Sequence, residues 1–281
     1  MFNTLPTTKA SQIAGVAIAI IGAVLLPQLA QAAEGEPKAQ TDAISGEVGG
    51  GIAIAPDYMG SNDYRISPLA IGTISWEDRS LTFDGTALSA DLLSSEALEF
   101  GPIVNWTFKR DPKNVESAAV KALGRIDDAF EVGAQAAVWV DGPIGNGDRL
   151  RFSLAAMRDV SDVHDGWLGD ATIRWTIPVT GKLGASFEAA ASYADAAYAR
   201  TYFGVTDAAA LASGLAAYRP DGGIKDVGAT VSLRYAVTDR WSLVAEAGYR
   251  RLLGNFADSP IVQSEGSADQ FHAGVGVVIG F

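Results

Sequence analysis

The chain has 281 residues, 21 Lys and Arg against 33 Asp and Glu, a formal charge of −12 and no cysteine. That acidic balance excludes a nucleic-acid partner, whose phosphates call for a basic patch. The missing cysteines exclude disulfides, thiol catalysis and thiolate metal sites.

Residues 1–32 read as a secretory signal peptide. Lys9 is the only charged side chain before Glu34, an apolar run extends from Ile13 to Leu26, Pro27 ends it, and Ala30-Gln31-Ala32 supplies small residues for cleavage before Ala33. The run falls short of the roughly 20 apolar residues that a spanning helix needs. Residues 33–43 are polar and are expected as a periplasmic extension, and residues 44–281 as the folded domain.

From there on, the hydrophobicity alternates with the period of a strand. Ile44 to Ile54, Ile66 to Trp76, Leu98 to Phe108, Phe130 to Val140 and Leu150 to Ala156 are the earlier candidates. Ala171, Ile173, Trp175 and Ile177 then alternate with Thr172, Arg174 and Thr176, and Leu183, Ala185, Phe187, Ala189, Ala191 and Tyr193 with Ser186, Glu188 and Ser192. Val227 to Val237 and Trp241 to Tyr249 repeat the scheme, the latter with an aromatic at each end of its apolar stripe. The last dozen residues show it most plainly, with Phe271, Ala273, Val275, Val277, Ile279 and Phe281 on one face and small or weakly polar residues on the other. Stretches of about 10 residues are the length of a strand crossing a bilayer at barrel tilt, longer than the usual 5 or 6 of a soluble sheet.

The connections alternate as well. Thr180-Gly181-Lys182 and Thr238-Asp239-Arg240 are tight, whereas Lys109 to Ala129, Ala194 to Asp226 and Arg251 to Asp269 are long. Outer-membrane barrels put short turns in the periplasm and long loops outside, so counting back from Phe281 at the periplasmic side sorts every connection correctly. Splitting Arg79 to Leu92 at the hairpin signal Asp84-Gly85 makes the count even. The expected fold is all-β, a transmembrane antiparallel up-and-down barrel of 12 strands, with 10 as the alternative. The expected location is the outer membrane of a Gram-negative bacterium, with its lipid as the surrounding partner.

Several segments carry a resemblance. They are Gly49-Gly50-Gly51, Pro56 to Ser61 with Asp63-Tyr64-Arg65, Arg200 to Val205, Tyr218-Arg219-Pro220, Gly222 to Asp226, Tyr249 to Gly254, Asp258-Ser259-Pro260 and Gly266-Ser267. With these the chain resembles the MltA-interacting protein MipA and OmpV family of outer-membrane proteins. The Ala-rich stretch Asp207 to Ala212 and the ending Val278-Ile279-Gly280-Phe281 depart from the family's pattern. The resemblance implies a non-enzymatic barrel with a scaffolding role that joins a lytic murein transglycosylase to a murein synthase. A small pore or an adhesive surface barrel is the alternative, and a lipid hydrolase a third.

No catalytic, cofactor-binding or metal-ligating residue is assigned. His272 faces inward without a neighbouring serine to activate, and His164, in Asp162-Val163-His164-Asp165-Gly166, reads as part of a solvated loop. Alternation turns Glu99, Glu131, Gln135, Arg151, Arg174, Glu188, Arg234, Glu246 and Arg250 into the lumen, where opposite charges are expected to pair. Arg174 and Glu188 lie seven residues either side of Gly181 and should face each other. Val115, Ala118, Ala119, Ala122, Leu123 and Ile126 have the spacing of a short helix in an outer loop. A murein-enzyme partner would meet Ala33 to Ala43 and the turn Asp141 to Asp148, since the other periplasmic turns are small.

Overall fold

A strand inside a bilayer cannot leave its ladder unpaired, and this chain meets the requirement by closing the sheet on itself. The structure is a computed structural model that describes residues 44–93 and 95–281; the expected signal peptide 1–32 and the extension 33–43 lie outside the described residues. Twelve antiparallel strands form the barrel: β1 Ser45–Pro56, β2 Tyr64–Trp76, β3 Arg79–Asp84, β4 Ala87–Asp91, β5 Leu98–Thr107, β6 Ala129–Asp141, β7 Arg149–Asp159, β8 Trp167–Pro178, β9 Leu183–Ala194, β10 Gly223–Ala236, β11 Trp241–Leu252 and β12 Asp269–Gly280. Each pairs with its sequence neighbours, and β1 meets β12 from Glu47↔Gly280 to Ile54↔Ala273. The seam is close: a methyl on Gly51 would stand 2.0 Å from the Val275 carbonyl oxygen, so a residue without a side chain is needed there.

The alternation sorts the side chains as expected. Ile52, Ile66, Phe100, Leu154, Phe187, Val231, Leu243, Val275 and Phe281 are all exposed on the outer wall, a band of apolar surface that only lipid would cover. Among the described residues no helix is long and apolar enough to cross a membrane, so the strands do the crossing.

The doubtful stretch near the amino end resolves into two short strands, of 6 and 5 residues, joined at Gly85-Thr86. Gly85 has φ +61° at the first central position, the place where a type II′ turn needs glycine. The turn is centred one residue beyond Asp84-Gly85.

Five short helices sit in the long connections. The expected one is α1, Ala118–Ala122, capped by the Ser117 hydroxyl, which accepts from Val120 N–H. The others are α2 Ala196–Phe203, α3 Asp207–Ser213, α4 Gly254–Ala257 and α5 Pro260–Glu265. All five lie at the end that the short turns leave free, which places them outside the cell by the barrel rule.

Cysteines introduced into this cysteine-free chain check the orientation. Leu211, 90% exposed on α3, and exposed Ser264 on α5 should react with an impermeant maleimide in intact cells, and exposed Gly181 only after lysis. The reverse pattern would invert the barrel.

Candidate functional site

The two ends of the barrel are chemically different, and the difference begins with what fills the lumen. At the outer end the loop helices turn inward and pack on strand residues. Tyr198, Ala199 and Phe203 of α2, Phe256 of α4 and Val262 of α5 form one apolar cluster with Ile103, Met157, Leu168, Ala194 and Leu252 of the wall. A second cluster joins Val115 and Val120 around α1 to Val205, Leu215 and Ile261. Polar pins register the loops on the wall. The Gln270 side-chain amide on β12 accepts from Gly60 N–H and donates to the Ser61 carbonyl, both at 3.0 Å, and buried Ser259 donates to the Phe203 carbonyl at 2.7 Å.

The most enclosed pin is His164 with Glu131, both side chains at 0% exposure. Glu131 accepts from Asn105 Nδ2 at 2.9 Å, Thr107 Oγ1 at 2.8 Å and His164 Nε2 at 3.1 Å. His164 Nδ1 accepts from Gly166 N–H, which fixes the ring proton on Nε2. The expectation of a solvated His164 is therefore overturned. Its loop folds back because its backbone amides at Val163, His164 and Asp165 donate to one carboxylate oxygen of Asp159. Glu131 was expected in the lumen and is there, but its partner comes from a loop 33 residues away in sequence.

Not every polar group in this plug is satisfied. Asp57 is buried with neither carboxylate oxygen bonded, and Arg110 is buried with its Nε unbonded. Burial raises the Asp57 pKa, pushes the neighbouring Tyr58 phenol up to about 12 and lowers Arg110. The sign for Asp57 follows from linkage. A carboxyl whose folded pKa is raised binds its proton more tightly when folded, so stability is fully present in acid and falls as pH rises through the folded pKa.

The periplasmic half is open. A cavity of about 610 Å³ runs up between Glu99, Trp139, Arg151, Arg174 and Glu188. It meets a mouth of about 620 Å³ lined by Glu77, Ser95, Glu96, Glu99, Trp139, Asp141 and Arg149. The expected pairs form here. Arg174 stands directly across the ladder from Glu188 and bonds it at 2.8 Å, and Arg151 meets Glu99 at 2.6 Å. Arg234 finds Glu47, which alternation alone had not singled out. The Arg174 and Arg234 side chains are 41% and 43% exposed, so their pairs line a wet vestibule, while Arg151 and Glu99 are more enclosed. Arg250 reaches Asp226 at the base of the loop plug, and His272 lies over Gly248. Trp139 is an inward aromatic, with the Arg149 guanidinium 4.4 Å above its ring.

One periplasmic turn is built rigidly. Between β6 and β7, the buried Asp148 side chain accepts from Ile144 N–H, Gly145 N–H and, at 2.8 Å, Trp175 Nε1–H. Its carbonyl accepts from Gly142 N–H. The braced turn holds Ile144 outward at 72% exposure. The signal for it was in the sequence: one apolar residue in a run of Gly142, Pro143, Gly145, Asn146 and Gly147. Among the described residues, no group of three His, Asp or Glu side chains is placed to hold a metal ion.

Comparison with known proteins finds a family and outer-membrane relatives. The profile of the family described as MltA-interacting protein MipA matches residues 48–281. "Putative outer membrane protein YiaT" from Escherichia coli O157:H7 is 26% identical over 222 residues, 78% of this chain and 86% of that protein. The protein of the same name from strain K12 matches to the same extent. Among solved structures, the COG4313 outer membrane channel from Pseudomonas putida F1 superposes with a TM-score of 0.46 at 12% identity, covering 88% of this chain and 98% of the other. The CymD monoaromatic hydrocarbon channel does so at 0.39 and 12%.

Two measurements separate the ends energetically. Glu131→Ala strands buried donors and should cost about 3–5 kcal/mol in urea unfolding, whereas Arg174→Ala, in water, should cost less than about 1 kcal/mol. Asp57→Asn should raise stability at neutral pH and flatten the fall in stability that the wild type shows on leaving acid. Equal costs for the first pair, or an unchanged pH profile for the second variant, would contradict the burial described above.

Proposed function

The chain belongs to the MltA-interacting protein MipA family, and from that premise we propose that this outer-membrane barrel docks a murein-processing enzyme at its periplasmic end. The observation that carries the reading is the asymmetry of the lumen: packed loops fill the outer mouth, while the vestibule and the braced Ile144 turn face the side where murein lies. The family's description names MltA as the interacting protein, and that name supports a lytic transglycosylase as the partner class.

The geometry supplies both components of a protein contact. A rigid turn loses little conformational entropy when it binds, so an exposed Ile144 on a braced loop is a preformed anchor. Around it, Glu77, Glu96 and Asp141 outnumber Arg149 on the mouth, which favours a basic partner surface and makes association sensitive to salt. The small area of the turns limits the interface to the weak, transient class, below about 1,200 Å².

A pore is the competing reading. It needs a water path through two apolar clusters and the Glu131 and His164 pin, so it would need the loop plug to move. The test pairs two assays. Ile144→Asp and Asp148→Ala should each lower recovery of a lytic transglycosylase with the purified barrel about tenfold or more, the size of a hot-spot loss, while the barrel keeps its heat-modifiable mobility. Planar bilayers should record no steady conductance from the wild type. Unchanged recovery together with steady single-channel currents would replace docking with conduction.

A further inference from the structure

The wall of this barrel is not uniform. Strand β2 pairs with β1 from Tyr64 to Ser75, but with β3 only from Ile71 to Trp76. On the other side of the short hairpin, β4 meets β5 only from Ala87↔Asn105 to Ser89↔Ile103. The hairpin tip is closed by Gly85 N–H to the Ala70 carbonyl and Trp106 N–H to the Thr86 carbonyl. Above it, the six residues Tyr64 to Leu69 have a neighbour on one side only. The result is a notch in the outer half of the wall between β2 and β5.

Alternate residues of an antiparallel strand turn their backbone polar groups to the same neighbour. Since the Ala70 carbonyl serves the hairpin, Pro68, Ile66 and Tyr64 turn theirs to the notch. Pro68 has no N–H to offer, and a proline in a strand belongs at such an unpaired edge. It also removes a donor that an added strand would need, which disfavours a second protein strand as the occupant. An open edge cannot simply face hydrocarbon, so the notch needs an occupant that brings polar donors along with apolar bulk.

The flanks define that occupant. Ile66 is 71% exposed beside the notch, and on the far side exposed Trp106 stacks on Phe130 and meets exposed Phe108 at a tilt. Just above them, exposed Lys109 and Lys113 hold no carboxylate in a close ion pair among the described residues, with Asp111 between them and Asp128 accepting from Lys109 N–H and Trp106 Nε1–H. Apolar walls, acceptor carbonyls and two exposed ammonium groups at the headgroup level suit a phosphorylated, acylated glycolipid with amide and hydroxyl donors at the root of its chains. We propose that the β2–β5 notch is a specific site for lipopolysaccharide in the outer leaflet. One acyl chain lies against Ile66 and Trp106, and a phosphate is held by Lys109 and Lys113.

The experiment uses the full chain in living cells. A benzophenone amino acid replaces Ile66, or Val227 as a control at the outer end of the closed wall, and the cells are irradiated. An adduct bearing lipopolysaccharide should form severalfold more at position 66 than at position 227. Each lysine contributes about fivefold to holding an anionic headgroup, so Lys109→Glu with Lys113→Glu should lower the position 66 adduct at least about tenfold. These lysines lie on an exposed loop, and the heat-modifiable mobility of the barrel confirms folding. Titrating purified lipid A onto the detergent-solubilised wild type and double variant, followed by native mass spectrometry, gives the same comparison without irradiation. Equal adducts at the two positions, adducts indifferent to the lysines, a phospholipid adduct, or a crosslink to a second protein chain would each overturn the proposal.

Discussion

Satisfying the backbone in a solvent that offers no hydrogen bonds governs this molecule more than any side-chain contact does. A polar backbone group left unpaired in hydrocarbon costs several kcal/mol, so a sheet crossing a membrane has to close. Closure here depends on β1 and β12, the first and last described strands, meeting over eight residue pairs. Glycines crowd that seam because the strands approach closely there, as the Gly51 geometry shows. Once the ring is closed, side-chain period alone decides the rest: odd positions of β12 meet lipid, even ones the lumen. A one-residue slip would exchange the two faces along a whole strand.

That dependence explains how much of the barrel was legible in the sequence. Local period and turn chemistry are written residue by residue, so strands of about 10 residues, the alternation of short and long connections and the even count could all be read. The pairing of Arg174 with Glu188 was legible because a tight turn fixes register, and equal offsets from Gly181 then make the two residues face each other. The partner of Arg234 was not, since Glu47 lies on β1 and reaches it across the lumen.

The loop plug was less legible for the same reason. His164 looked solvated in a loop rich in aspartate, yet Asp159 gathers the backbone amides of that loop and turns the ring onto Glu131. Glu131 lies 33 residues away in sequence, so no local pattern around His164 announces the pairing. Helix α3 was missed although its caps were present. Thr206 accepts from Ala209 N–H, and Gly214 closes the helix at φ +77°. Its alanines show no apolar stripe, so only its caps mark it.

The two ends divide sharply in what they contribute to stability. The outer end is enclosed, with apolar clusters, a buried His–Glu pair and unsatisfied groups such as Asp57 whose cost the surrounding packing has to offset. The periplasmic end is hydrated, and its exposed ion pairs, such as Arg174 with Glu188 and Arg234 with Glu47, contribute little to folding because water screens them. Ile144 fits that division: an isoleucine held outward by a buried aspartate adds nothing to the core. The short β3–β4 hairpin fits it as well. The strands on either side give up ladder bonds above the hairpin, and Pro68 stands where a missing donor costs least. A wall selected for stability alone would have continued those strands to full height. The break therefore implies that the surrounding membrane supplies what the ladder does not.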